Sequence, residues 1–216
     1  MRVLVTGGTG VLGRAFQPLA DAAGHDVRAP KRAELDLFDP VAVGAAMQGV
    51  DAVLHLATRI QPLDQMRQPG SWRENDRLRA EASAVLVDAA LTAGTGTYIQ
   101  PTVTFVYPGG QPATEETPVG EVPVIMRSAL AAERQAARFA RAGQRGVVLR
   151  LGLLDGPGTG NGQPNQALGA TLDVTDAGLA LLAALSIPSG VYNVCRDGER
   201  VSNRRFAATA GWHPRR

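Results

Sequence analysis

The first thirteen residues, MRVLVTGGTGVLG, constrain the fold more than any other stretch of the chain. Val3, Leu4 and Val5 make a short apolar run, Thr6 to Gly13 follows as TGGTGVLG, and residues 14–23 suit a helix. Strand, glycine-rich turn and helix in that order give a glycine triplet its meaning. Gly7 permits a tight turn, Gly10 lets backbone approach a pyrophosphate, and Gly13 lets the helix pack close to the strand. The helix N-terminus adds free N–H groups and the positive end of a dipole, both suited to phosphate. The turn therefore predicts a dinucleotide site in which Thr6, Val11, Leu12 and Arg14 flank the three glycines. A turn that binds nothing has little reason to keep them, because each costs backbone entropy on folding.

Apolar strands then alternate with helix-length segments, the pattern of a parallel α/β sheet. Strands are expected at 26–29, 33–37, 51–57, 97–100 with the apolar signal continuing over 103–107, 146–151 and 191–194. Helices are expected at 40–48, 72–93, 125–142 and 175–185, the second of them carrying a stripe of Leu78, Ala82, Val85, Leu86 and Ala89. Residues 59–71, 108–123 and 152–170 read as loops, and the end of the chain is polar. The expected architecture is a Rossmann-like, doubly wound parallel sheet over residues 1–151. A small, reduced C-terminal lobe over 152–216 belongs to the same globular unit.

Composition narrows the classes. The chain has 216 residues, 44% of them hydrophobic and 19% charged, enough for one domain with a full core. No apolar run is long enough to span a membrane, and no signal peptide precedes the first strand, so a cytoplasmic protein with no membrane partner is expected. Cys195 is the only cysteine, which rules out an intrachain disulfide. A net charge of +2 gives no electrostatic case for nucleic acid. The three histidines show no metal-ligand spacing, and no metal is expected.

Taken together, the motifs resemble the extended short-chain dehydrogenase/reductase family, the NAD(P)-dependent epimerases and dehydratases. The matching pieces are TGGTGVLG, Asp36-Leu37, DAVLHLAT at 51–58, Asn75 opening the long helix, and TFVYP at 104–108. VVLRLGLLDGPG at 147–158, LDVTDAG at 172–178, GVYNV at 190–194 and AGWHP at 210–214 complete the set. The resemblance implies that Gly7, Gly10 and Gly13 hold a pyrophosphate. It places Asp36 and Leu37 beside the adenine, and Leu56, Ala57 and Thr58 near the nicotinamide ribose. Choice of cofactor turns on the end of the second strand, where NAD users place an acid. Here stand Lys31, the only lysine in the chain, and Arg32, with Arg14 after the last glycine. Cations attract a 2′-phosphate, so NADP(H) is expected over NAD(H).

The catalytic half departs from the pattern. The family uses a serine or threonine near the end of the fifth strand and a Tyr-x-x-x-Lys pair on the next helix, where the lysine eases proton transfer by the phenol. Aligning Glu133 with the glutamate that follows that pair puts Ile125 at the tyrosine position and Ala129 at the lysine position. Tyr98, Tyr107 and Tyr192 all lack a lysine four residues on. Thr102, Thr104 and Tyr107 are left as candidate catalytic groups, and Arg59, Arg127 and Ser128 as candidate substrate contacts. His55 and Arg150 are expected to be structural, and Cys195 a small buried apolar residue. The short segment between Gly152 and Thr171 points to a substrate smaller than a sugar nucleotide. Three functions fit: an NADP(H)-dependent oxidoreductase or epimerase on a small carbonyl or hydroxyl compound, a non-redox cyclase, dehydratase or isomerase, and a non-catalytic NADP-responsive binding protein. A homodimer through 72–93 and 125–142 is expected from the family's habit.

Overall fold

Strand β1 (Arg2–Thr6) lies at the centre of a parallel sheet, between β2 (Asp26–Arg28) and β3 (Ala52–His55). The computed structural model describes every residue except 61–67, 69, 110–111, 124–125, 166–168, 199 and 216. Beyond β3 the sheet continues through β4 (Thr97–Val103) and β5 (Arg145–Leu151) to β8 (Gly190–Val194), in the order β2-β1-β3-β4-β5-β8. All five pairings are parallel, so every connection crosses over one face of the sheet.

Alternation along the strands divides the core in two. Val3, Val5, Leu54, Ile99, Val147 and Leu149 meet Phe16 and Ala20 of α1 (Val11–Ala22) and Ala177, Ala180 and Leu181 of α6 (Val174–Ala184). Leu4, Val53, Tyr98 and Val148 face the other way. They meet α2 (Pro40–Ala46), the Leu86 and Val87 side of α4 (Ser83–Ala93), and Phe139 of α5 (Arg127–Arg141). Strands buried on both faces read as continuous apolar runs, which made them legible. The predicted doubly wound α/β fold is present.

Four sequence expectations need correction. Residues 33–37 form no strand: Glu34 N and Leu35 N both donate to Lys31 O, and Phe38 N donates to the Asp36 carboxylate at 2.9 Å. The stretch is a pair of turns with Leu35 buried beneath, because an aspartate bonding its own backbone two residues on competes with strand pairing. The helix expected over 72–93 is interrupted. After α3 (Arg73–Arg77) comes a π-helical turn, Leu78–Ala82, before α4. Ser83 Oγ donates to Arg79 O at 2.6 Å, a back-bond that bends helices. Residues 152–170 are not all loop, since β6 (Leu153–Asp155) pairs in parallel with β7 (Thr171–Asp173) in a second, two-stranded sheet. The polar end contains α7 (Arg204–Ala210), held by Phe206 in edge contact with Tyr192 and Trp212.

Residues 152–216 do not stand apart: β8 completes the main sheet, and α6 packs on α1 through the close approach of Gly178 to Ala15. No described helix is long and apolar enough to cross a membrane.

Candidate functional site

The strand order reverses at β1, with β2 on one side and β3 on the other, so the C-terminal ends of β1 and β3 border the switch point at which such sheets bind ligands. The glycine turn closes one wall of it. Gly7 has φ +73°, and a β-carbon there would stand 2.6 Å from the Ala57 nitrogen. Gly13 is as constrained, since its β-carbon would meet Gly8 O at 2.3 Å. Gly10 differs. It caps α1 by accepting from Arg14 N, and a β-carbon on it would meet only Gly7 O, at 3.1 Å. Gly7 and Gly13 are therefore required by the protein's own packing, while the face of Gly10 is open for an outside group to approach. A pyrophosphate at the N-terminus of α1 fits this cradle.

Beside β2 lies a cleft of 680 Å³ lined by Arg28, Ala29, Pro30, Glu34, Leu35 and Ala42 among others, a space suited to the adenosine half of a dinucleotide. Lys31 is exposed next to Pro30, its backbone N–H donating to Glu34 Oε2 at 2.8 Å. Arg32 is engaged elsewhere, in an ion pair with Glu74 of α3. Arg14 lies over the glycine turn, donating to Thr9 O and reaching toward Gly158. Asp36 is exposed and spends its carboxylate on the Phe38 turn, and Leu37 packs partly into the core. Arg28, in the lining, donates to Ala46 O at 3.3 Å, while the Lys31 side chain, beside the lining residue Pro30, has no hydrogen-bond or ion-pair partner among the described residues.

On the opposite wall, Leu56 N donates to Thr6 O, Ala57 touches Gly7, and Thr58 is exposed. Thr6 and His55 are packed beneath: Thr6 Oγ1 lies 2.6 Å from His55 Nδ1, and His55 Nε2 lies 3.0 Å from Leu78 O. A carbonyl can only accept, so Nε2 carries the proton and Nδ1 accepts from the threonine hydroxyl. Burial pushes the His55 imidazole down to about 4, opposed by the Leu78 carbonyl and aided by the charge of Arg79. Unfolding restores the ordinary value of 6.5, so below that pH the unfolded chain binds a proton the folded one refuses. Stability is expected to fall as pH drops from 6.5 toward 4, by roughly 2 kcal/mol at pH 5. Urea melts of wild type and His55→Gln at pH 7 and 5 check this, the variant losing less on acidification.

The candidate catalytic hydroxyls have partners. Thr102 donates to Glu133 Oε1 at 2.9 Å, and Tyr107 donates to Asn193 Oδ1 at 2.8 Å. Burial raises the Tyr107 pKa, against the pull of Arg150, which lies over its ring at 4.9 Å. Thr104 is buried at the start of a 3₁₀ turn (Thr104–Val106) that ends β4. Arg150 is structural: its guanidinium grips Glu133 through two bonds of 3.0 and 2.7 Å between β5 and α5. Cys195 is buried, with burial pushing its thiol up to about 12, which leaves it inert. Of the substrate candidates, Arg127 is exposed, Ser128 and Ala129 are buried on α5, and Arg59 is anchored through its backbone N–H to Asn75 Oδ1 at 3.1 Å. Ile125, at the tyrosine position, lies outside the described residues.

One residue escaped the sequence reading altogether. The π-turn inserts an extra residue into the helix and rotates its inner face, so Leu78 moves partly outward and Arg79 goes inside at 6% exposure. The signal was an arginine beside the apolar stripe, which a regular helical wheel places near the boundary.

Comparison with known proteins agrees with the fold. The model of the NAD dependent epimerase/dehydratase family matches residues 3–194. A 3-diazoavenalumate denitrifying reductase from a Streptomyces species is 30% identical over 88% of this chain and 70% of its own. A dTDP-4-dehydrorhamnose reductase from Streptomyces griseus is 28% identical over 91% of this chain and 71% of its own. Among solved structures, MoeE5 in complex with UDP-glucuronic acid and NAD superposes with a TM-score of 0.83 at 20% identity. It covers all of this chain and 94% of that one. RMD from Pseudomonas aeruginosa complexed with NADPH superposes at 0.77 and 22% identity, over 99% and 94%. The chain belongs to the NAD dependent epimerase/dehydratase family.

Proposed function

We propose that the protein is an NADP(H)-dependent oxidoreductase acting on a small carbonyl or hydroxyl compound. The observation that carries the reading is the crevice itself: an open Gly10 face at the N-terminus of α1, with the β2 cleft beside it and Ala57 opposite. Gly7, Gly10 and Gly13 would hold the pyrophosphate, and Leu56 to Thr58 would border the nicotinamide ribose. When bound, the cofactor supplies a hydride from its nicotinamide ring. This chain's part is to orient the two reactants, to keep water out and to hold the reacting oxygen. Glu133 takes the Thr102 hydroxyl and Asn193 takes that of Tyr107, so our reading assigns that oxygen to Thr104.

The preference for NADP(H) rests on Lys31 at the rim of the cleft. Replacing Lys31 and Arg32 together by alanine is expected to weaken NADPH about tenfold and NADH less than threefold, one charge-assisted phosphate bond being at stake. Fluorescence titration of both nucleotides reads the two losses, and equal losses would refute the preference. The activity itself is tested by NADPH oxidation against a panel of small aldehydes and ketones. Turnover of at least one supports the reading, and tight cofactor binding without turnover of any sinks it in favour of an NADP-responsive binding protein.

A further inference from the structure

Where α3 and the π-turn pack on α5, four buried polar atoms have no hydrogen-bond partner among the described residues: Asn75 Nδ2, Asp76 Oδ1, Arg79 Nε and Ser128 Oγ. They are half of the eight such atoms found among the described residues. Folded proteins leave few buried polar groups unsatisfied, so a cluster of them asks for a missing partner. Asn75 of α3 and Arg79 of the π-turn are both buried, and Ser128 lies on the buried face of α5, which packs against the two.

Arg79 is the costly member. Among the described residues no ion pair reaches it: Glu74 pairs with Arg32 and Arg59, Glu81 with Arg77, and Glu133 with Arg150. Asp76 attracts it, yet desolvation is the larger influence on its guanidinium. A buried cation short of a partner is strongly destabilising. Evolution tolerates such strain where a ligand relieves it, and the position here is suited to one. Leu78, the residue before Arg79, accepts from His55 Nε2 at 3.0 Å, and His55 closes β3 just before Leu56 to Thr58 on the crevice wall. Asn75 Oδ1 also anchors the chain that leaves that wall, through Arg59 N. Arg79 therefore stands next to the sheet's C-terminal edge, on the far side of β1 from the adenosine cleft.

We propose that Arg79, with Asn75 and Ser128 as neutral donors, forms a carboxylate-binding subsite, and that the substrate carries a carboxylate. A planar guanidinium matches the two oxygens of a carboxylate in a bidentate pair, and an anion offsets the buried charge as a neutral carbonyl does not. The assignment rests on the reading of the crevice as a cofactor and substrate site, but it is tested without turnover.

The probes are benzoate and its neutral counterpart benzamide, followed by thermal shift and calorimetric titration with and without NADPH. Benzoate is expected to raise the melting temperature of the wild-type protein and benzamide to leave it unchanged. Arg79→Met should weaken benzoate by about thirtyfold while NADPH affinity stays within twofold, and Arg79→Lys should recover part of the loss. Equal binding of the two probes, no binding of benzoate, or undiminished benzoate binding by Arg79→Met would each overturn the proposal. If Arg79→Met fails to fold, the wild-type pair of probes and Arg79→Lys still decide. Should NADPH not bind the wild type while benzoate is still discriminated, the cofactor reading falls and the carboxylate subsite stands.

Discussion

Replacing Gly10 by alanine is expected to leave the protein folded and to cut NADPH affinity by about a hundredfold, the worth of two charge-assisted hydrogen bonds. The added methyl meets only Gly7 O, at 3.1 Å, a contact that a shift of a few tenths of an ångström relieves. Glycine to alanine at a helix N-cap costs about 1 kcal/mol, or a few degrees of melting temperature. The same methyl would occupy the approach to the free N–H groups of α1, where the pyrophosphate is proposed to sit. Gly13→Ala provides the contrast, because its β-carbon would fall 2.3 Å from Gly8 O and the turn itself would break. A binding titration and a thermal melt on the two variants separate a ligand effect from a folding effect. If Gly10→Ala binds NADPH as the wild type does, the pyrophosphate is not held where the glycine turn implies.

A large loss of stability is expected from Glu133→Gln. Glu133 and Arg150 are nearly buried, with side-chain exposures of 11% and 7%, and two hydrogen bonds join them. Thr102 donates to the same carboxylate, so one side chain ties β4, β5 and α5 together. Glutamine keeps the shape and one acceptor but removes the charge, leaving a buried guanidinium uncompensated. Breaking such a pair costs about 4 kcal/mol, equivalent to roughly 10 °C in a chain of this size. Adding Arg150→Met to the variant should restore part of the loss, since removing both charges is far cheaper than removing one. Calorimetric melts of the single and double variants check both statements. A single variant that melts within 2 °C of wild type, on the same scale of roughly 3 °C per kcal/mol, would show the pair to be dispensable.

The sheet was legible because its strands are buried on both faces, and Val3 to Val5, Ala52 to Leu54 and Val147 to Leu149 stand out as apolar runs. The glycine turn was legible for a different reason. Gly7 and Gly13 answer to contacts with Ala57 and Gly8, so the motif encodes packing as well as phosphate. What failed to show was structure built from single residues against the local trend. Asp36 turned an apparent strand into turns through a bond to its own backbone. The π-turn moved Arg79 inside by adding one residue to a helix whose apolar spacing looked regular. The three-residue strands β6 and β7 lie too far apart in sequence for either to suggest the other. For the candidate site, the sequence located the crevice walls, but not that Arg32 is engaged by Glu74 or that Thr102 and Tyr107 have partners inside the protein.

The central claim is that the crevice between β1 and β3 holds a nicotinamide dinucleotide, and titrating NADPH with the purified protein tests it most directly. Nicotinamide fluorescence should saturate with one site per chain and a dissociation constant of about 10 μM or tighter, and NADP⁺ should compete for the same site. An emission that stays unchanged with protein in large excess, together with no heat of binding, would contradict the account.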